Sequence, residues 1–419
     1  MKNDVLYDFD LKDESIKNLY KNMFEQSNYK ITDKFSKCIN NINNKLITKR
    51  NPGIDLLRIL AMYGIIIHHL LFLHNKGGFS KFSKYKKYLK LMHIFIFWHN
   101  NGFALISGMV GFKSFHYSNL LFLWFIVLFY SVGIDLYFKI FIKYPIIKYD
   151  FSKDFFPIIF KRYWYFTAYF GMYLFLPVIN KGISHLNKYE FSLVVITILC
   201  LLVFWRDLKN PNSDVFEFKN GFSLIWLLTF YLTGAYIGKY GIVQYFGFEK
   251  YLYCFICIVI YLLLNILFFL VYNNKLHFGN KFIQKEIFYL LKNQMLPEKY
   301  DSIFKIVQSI TITLFCLQIN YHKLLAKIIC FEGPLIFGIY LIHNNYLVKH
   351  NILIHSFDNT PENISLNSAT IMILMQALKI FIICLIIEYF RNLIFKILKI
   401  KNLCIKLEIK MNKIFNHNL

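Results

Sequence analysis

The sequence predicts an all-α polytopic membrane protein, a bundle of about ten transmembrane helices. Hydrophobic residues make up 57% of the chain and mean hydropathy is positive, at +0.42. The apolar residues fall in blocks and not at the spacing of a surface helix, so whole segments are apolar on every side. Ten such blocks are separated by polar, mostly basic loops.

Residues 1–50 alternate charge and apolarity (DFDLKDESIKNLYKNMF) and read as a soluble N-terminal tail with some helix. Asn51-Pro52-Gly53 is a turn signal that separates the tail from the first span. That span, IDLLRILAMYGIIIHHLLFL (54–73), is too long and too polar for a cleavable signal peptide, so it is expected to stay in the protein. The remaining spans are expected at 91–111, 119–142, 158–179, 190–205, 221–239, 249–272, 303–319, 334–350 and 368–395. The fourth ends in Pro177-Val178-Ile179-Asn180, which reads as a helix terminus, and the ninth begins at Gly333-Pro334. Loop 273–302 carries apolar pairs at helical spacing (Phe282/Ile283, Ile287/Phe288, Leu290/Leu291), as an interfacial helix would. The domain layout is thus 1–50, a membrane domain over 51–395, and a basic C-terminal tail over 396–419.

An even number of spans puts both termini on one side, but the charge rule does not choose the side. The flanks at Lys45, Lys49 and Arg50 and at Arg391, Lys396, Lys399 and Lys401 are basic, and so are the opposite loops 74–90 and 139–162. A formal charge of +24 arises from lysines scattered through every loop, without the single patch that nucleic acid requires, and no nucleic-acid partner is expected. The lipid bilayer is the expected surrounding. The eight cysteines lie mostly inside apolar segments, where they pack as small hydrophobes. Cys254 and Cys257 form a CxxC with no second pair or histidine cluster nearby, so no metal site is expected.

Polar groups inside the spans mark where chemistry belongs, because each must find a partner or lose several kcal/mol of hydration. Arg58 and His69 are eleven residues apart, an interval of about 1100° on a helix, ~20° past three full turns. They therefore share a face, about 16 Å apart along the axis. His68 lies ~80° off that face and points elsewhere. The bland alternative is that His69 hydrogen-bonds across helices as structural glue. In WHNNGFALISGMVGF (98–112), the small residues Ala104, Gly108 and Gly111 are spaced for close helix packing, whereas Asn100, Asn101 and Ser107 are candidate hydrogen-bond donors to an acyl carbonyl or a sugar. RYWYFTAYFGMYLFLPVIN (162–180) offers an aromatic wall, with Tyr169 the substrate-binding candidate, or simply interface anchors. In GPLIFGIYLIHNN (333–345), His343 is open to a catalytic, substrate-binding, structural or interfacial role.

Taken together, these segments resemble the acyltransferase-3 family of bacterial membrane O-acyltransferases, especially the stand-alone type that acetylates surface polysaccharides. The matching pieces run in family order: Arg58-x10-His69, NGFALISGMVGFKS, YWYFTAYFGMYLFLPVIN, SLIWLLTFYLTGAYIGKYG (223–241) and FGIYLIHNN. The resemblance implies a ten-helix bundle in a bacterial inner membrane with cytoplasmic termini. It implies acyl-CoA, acetyl-CoA by default, as a donor substrate taken from the cytoplasm, and no permanently bound cofactor. The acceptor would be a hydroxyl of a cell-surface or lipid-linked glycan, and Arg58 and His69 would be catalytic. The chain departs from the family after the SG motif, where the usual basic stretch is represented only by Lys113, with His116 nearby, as the candidate for CoA phosphate. No esterase-like domain is expected after the last span, which the short basic tail 396–419 follows.

The helix geometry gives the resemblance a physical reason, since a phosphopantetheine arm is similar in length to the ~16 Å between Arg58 and His69. The arginine would anchor the donor and the histidine would take the proton of the attacking hydroxyl. A transporter or flippase of lipid-linked oligosaccharide is the main alternative, and it would show inverted repeats with matching broken helices. None is visible, and loop 273–302, where a glycan polymerase would be expected to carry catalytic Arg or His, has Lys281, Lys285 and Lys292 but no Arg.

Overall fold

In the computed structural model, the described residues are 50–73, 76–113, 115–142, 152–205, 214, 216–240, 247–272, 299–361 and 364–416. Among them every regular element is helical. The N-terminal tail and the interfacial helix expected within 273–302 lie outside the described residues.

Helix α1, Pro52–Leu71, starts where the turn signal stands. Asn51 is its N-cap, accepting from the Gly53 amide at 2.8 Å, and Pro52 occupies the first turn, where its missing N–H costs nothing. The first span is followed by α2 (Lys86–Ile96), α3 (His99–Gly111) and α4 (Tyr117–Tyr137). Next come α5 (Trp164–His185), α6 (Lys188–Leu199), α7 (Leu224–Tyr240), α8 (Gly247–Tyr272) and α9 (Ile303–Gln318). The chain ends with α10 (Lys323–Glu332), α11 (Ile336–His343), α12 (Tyr346–Asn351), α13 (Leu366–Ile397) and α14 (Ile400–Asn416). Among the described residues four helical stretches are long and apolar enough to cross a membrane: Pro52–Leu71, Tyr117–Ile142, Lys323–His343 and Leu366–Ile397. Phe141, Ile159, Val178, Phe255 and Ile397 stand exposed, an outer apolar surface that suits lipid.

Helix α1 sits at the centre, packed against α2, α3, α9, α10, α11 and α13. Its Met62, Ile65, Ile66 and Leu70 join one core with α4, α11 and α13, while Leu57 and Ala61 join a second with α3, α5 and α7. In the second core, α3 and α7 meet backbone to backbone. A methyl group added at Gly108 would collide with the Tyr231 carbonyl, and one at Gly234 with the Leu105 carbonyl. The small residues of the SG segment therefore serve packing. Gly108→Ala is expected to destabilise the protein by roughly 1–3 kcal/mol, read as a lower unfolding temperature in detergent. Gly133→Ala, in α4 with open space around it, is the matched control and should not lower the unfolding temperature.

Three elements differ from the sequence reading. The expected span 91–111 is two helices, broken at Phe97 and Trp98. The carbonyls freed by the break are satisfied from distant helices: Ile94 accepts from Lys305 Nζ and Gln308 Nε2, each at 3.0 Å, and Phe95 accepts from the Tyr261 hydroxyl. A buried lysine at the C-terminal end of α2 thus caps a helix inside the protein, which is how interrupted helices survive away from water. Pro177 does not end α5, which continues to His185. Asn180, one turn further on, ties α5 to its neighbours by donating to the Gly111 carbonyl (2.9 Å) and accepting from the Tyr231 hydroxyl (2.7 Å). The ninth span is shifted as well, because Gly333-Pro334 forms a 3₁₀ turn joining α10 to α11 in one stretch that ends at His343. The C-terminal tail is also helical. In α14, Glu408 accepts from the Tyr117 and Ser118 amides at 2.8 and 3.2 Å, capping α4.

Candidate active site

The first turns of α1 carry the site's charge. Arg58 is buried and bonded to Asp55, one turn earlier on the same helix. Asp55 also accepts from Arg50 Nε at 2.9 Å and Nη2 at 2.7 Å. One carboxylate is thus shared by two guanidiniums at this end of the helix. The fit around Asp55 is tight, since a Cβ at Gly333 would overlap its carboxylate.

Arg58 opens onto a pocket of about 150 Å³ enclosed by α1, α3, α4, α5 and the Gly333–Tyr340 stretch. Met62 and Ile65 continue the α1 wall, and Phe103, Leu123, Phe166, Ile336 and Phe337 make most of the lining apolar. Of the residues the sequence singled out, Arg58, Asn100, Ser107 and Tyr169 line this one space. Asn101 does not. Its side chain donates to the Tyr300 carbonyl and accepts from Trp226 Nε1, both at 2.9 Å, and so joins α3 to α7 and to the segment before α9. Lys113 is exposed beyond the C-terminus of α3, away from the pocket.

Two lining residues were not apparent from the sequence. The hydroxyls of Tyr165 and Tyr340 are buried with no acceptor for their protons among the described residues, the Tyr340 oxygen lying near the Tyr165 backbone N–H and the Asn344 side chain, and their rings are 6.4 Å apart. A buried hydroxyl without an acceptor costs about 1–3 kcal/mol, so two of them beside a cavity mark a place for an acceptor atom of a ligand. The available signal was spacing: Tyr165 precedes Tyr169 by one turn, and Tyr340 precedes His343 by three residues.

Beyond the tyrosines the site continues through histidines. The Tyr340 ring is 6.3 Å from His343, and His343 is 5.2 Å from His69. His69 is one turn past Ile65 on the face that carries Arg58, Met62 and Ile65, and it is partly exposed, while its Nδ1 is buried with no partner among the described residues. His68 turns the other way, with its Nδ1 2.8 Å from His93 Nε2 and its ring near His99 at the α2–α3 break. The two adjacent histidines thus meet different partners, His93 for His68 and His343 for His69, with their own ring centroids 5.6 Å apart. The arrangement places one cation and two buried phenol hydroxyls at the pocket, with His69, whose Nδ1 has no partner among the described residues, further along the same face of α1 and outside the pocket lining.

A family model described as an acyltransferase domain matches residues 51–389, from the N-cap of α1 to near the end of α13. No curated protein and no solved structure matches the chain.

Proposed function

This chain belongs to the acyltransferase-3 family of membrane enzymes, and from that premise we propose that it moves an acetyl group from cytoplasmic acetyl-CoA to a hydroxyl of a cell-surface or lipid-linked glycan. The observation that carries the proposal is the alignment, on one face of α1, of Arg58 at the pocket and His69 three turns further along, with Tyr165 and Tyr340 lining the same pocket as Arg58. The Arg58 guanidinium, which lines the pocket, serves an anionic group of the donor. The pocket receives the thioester. A cavity near 150 Å³ holds a ligand of about benzene size, which suits an acetyl thioester end and leaves the nucleotide outside.

In the transfer, the acceptor oxygen forms a bond to the thioester carbon and the C–S bond breaks. The carbonyl oxygen gains negative charge on the way, and the Tyr165 and Tyr340 hydroxyls are free to donate to it. His69 takes the proton of the attacking hydroxyl and returns it to the departing thiolate. For a cytoplasmic donor the Arg58 end of α1 faces the cytoplasm of a bacterial inner membrane, with both termini on that side and loops 74–90 and 273–302 outside. The test is transfer of label from radiolabelled acetyl-CoA into glycan. Membranes carrying the protein should incorporate label well above membranes lacking it, and equal incorporation would contradict the proposal.

A further inference from the structure

We propose that His343 is the positioning residue for His69, accepting the His69 Nδ1–H and so fixing the ring with its Nε2 free as the base. The inference rests on the transfer reading above and deepens it.

His343 is fully buried at the C-terminal end of α11, and its Nδ1 is 2.6 Å from the carbonyl of Ile339, one turn back. A carbonyl only accepts, so Nδ1 carries the proton and Nε2 presents a lone pair. That Nε2 is buried and has no partner among the described residues. Neither has His69 Nδ1, which belongs to the ring nearest on the α1 side. Two buried orphan nitrogens, one an acceptor, face the same problem and solve it together. The ring centroids are 5.2 Å apart at a tilt of 45°. A hydrogen bond between two imidazoles, with nitrogens about 2.9 Å apart, needs centroids at about this separation, so side-chain rotation completes the bond without moving either helix.

The chemistry favours this pairing over the neighbouring ones. His68 is engaged with His93 at 2.8 Å and sits on the other side of α1. When His69 takes the proton of the acceptor hydroxyl, its Nδ1–H bond to His343 becomes charge-assisted and strengthens during the reaction, not before it. A neutral imidazole in this role orients the base without adding a charge to an apolar interior, where a carboxylate would be costly. The Ile339 carbonyl completes the relay by holding the His343 tautomer, as outer hydrogen bonds do for histidines in other sites.

The experiment compares His343→Leu with His343→Gln in glycan labelling, with unfolding temperature in detergent measured for each. Gln keeps an acceptor near the position of the ring nitrogen, and Leu keeps only bulk. The expected result is a kcat for Leu lower on the order of a hundredfold with KM for acetyl-CoA within about twofold of wild type, and a kcat for Gln within about tenfold of wild type. Equal losses for Leu and Gln, a loss confined to KM, or a Leu variant within about threefold of wild type would each overturn the assignment. A His69→Ala arm separates this failure from that of the underlying reading. If His69→Ala is inactive while His343→Leu is not, only the positioning role falls; if His69→Ala retains activity, the base assignment falls and takes the positioning role with it.

Discussion

His69→Ala is expected to reduce acyl transfer by about 10²- to 10⁴-fold, the range that loss of a general base produces, with membrane insertion and thermal stability close to wild type. The stability half of the expectation comes from the structure. Among the described residues His69 Nδ1 has no hydrogen-bond partner, so at that nitrogen the substitution removes at most the proposed bond to His343. Alanine is also the best helix former. A purely structural histidine would show the reverse pattern, with stability falling and activity following it. His68→Ala is the internal comparison. It breaks the 2.8 Å contact with His93 at the α2–α3 break and should cost more stability than His69→Ala but less activity. The opposite ranking of activities would mean that the His93 side of α1 carries the chemistry.

Arg58→Met is expected to raise KM for acetyl-CoA by about tenfold to a hundredfold, corresponding to the loss of a hydrogen bond to a charged group worth roughly 1.5–3 kcal/mol. Asp55 keeps Arg50 as a partner, so the substitution does not strand a buried carboxylate, and the fold should hold. Arg58→Lys restores the charge without the planar fork that serves Asp55 and an anion together, and it should recover only part of the affinity. Binding of acetyl-CoA to the solubilised protein separates the two possible roles. Weakened binding is the result expected; unchanged binding with lost turnover would instead make Arg58 a support for α1.

Much of the site was legible because it is local to one helix. The Arg58 and His69 interval is a property of eleven consecutive residues, and the Asn-Pro-Gly signal marked the boundary before α1, although the helix begins at Pro52, two residues ahead of the expected 54. Asn100 and Asn101 show the limit of the same reasoning. As neighbours they are 100° apart on α3, and nothing local tells which faces the pocket; the choice depends on Trp226 and Tyr300, more than a hundred residues away. The break at Phe97 is hidden for a similar reason. Its run of apolar residues reads as one span, and the groups that make a break affordable, Lys305, Gln308 and Tyr261, come from α8 and α9. The ninth span moved because a proline is a legitimate helix start, and the sequence cannot show that the helix before it continues through a 3₁₀ turn. Tyr165 and Tyr340 were missed because a hydroxyl without an acceptor is a fact about absent neighbours, which only three-dimensional packing reveals.

The central claim is that one face of α1 receives acetyl-CoA at its Arg58 end, from the cytoplasm, and delivers the acetyl group past His69. Sealed vesicles of defined orientation, given radiolabelled acetyl-CoA on their outer surface only, test it directly. Inside-out vesicles, which present the cytoplasmic face to the donor, are expected to transfer label into glycan, and right-side-out vesicles to transfer none until they are permeabilised. Transfer by intact right-side-out vesicles, or transfer by inside-out vesicles that survives His69→Ala, would contradict the account.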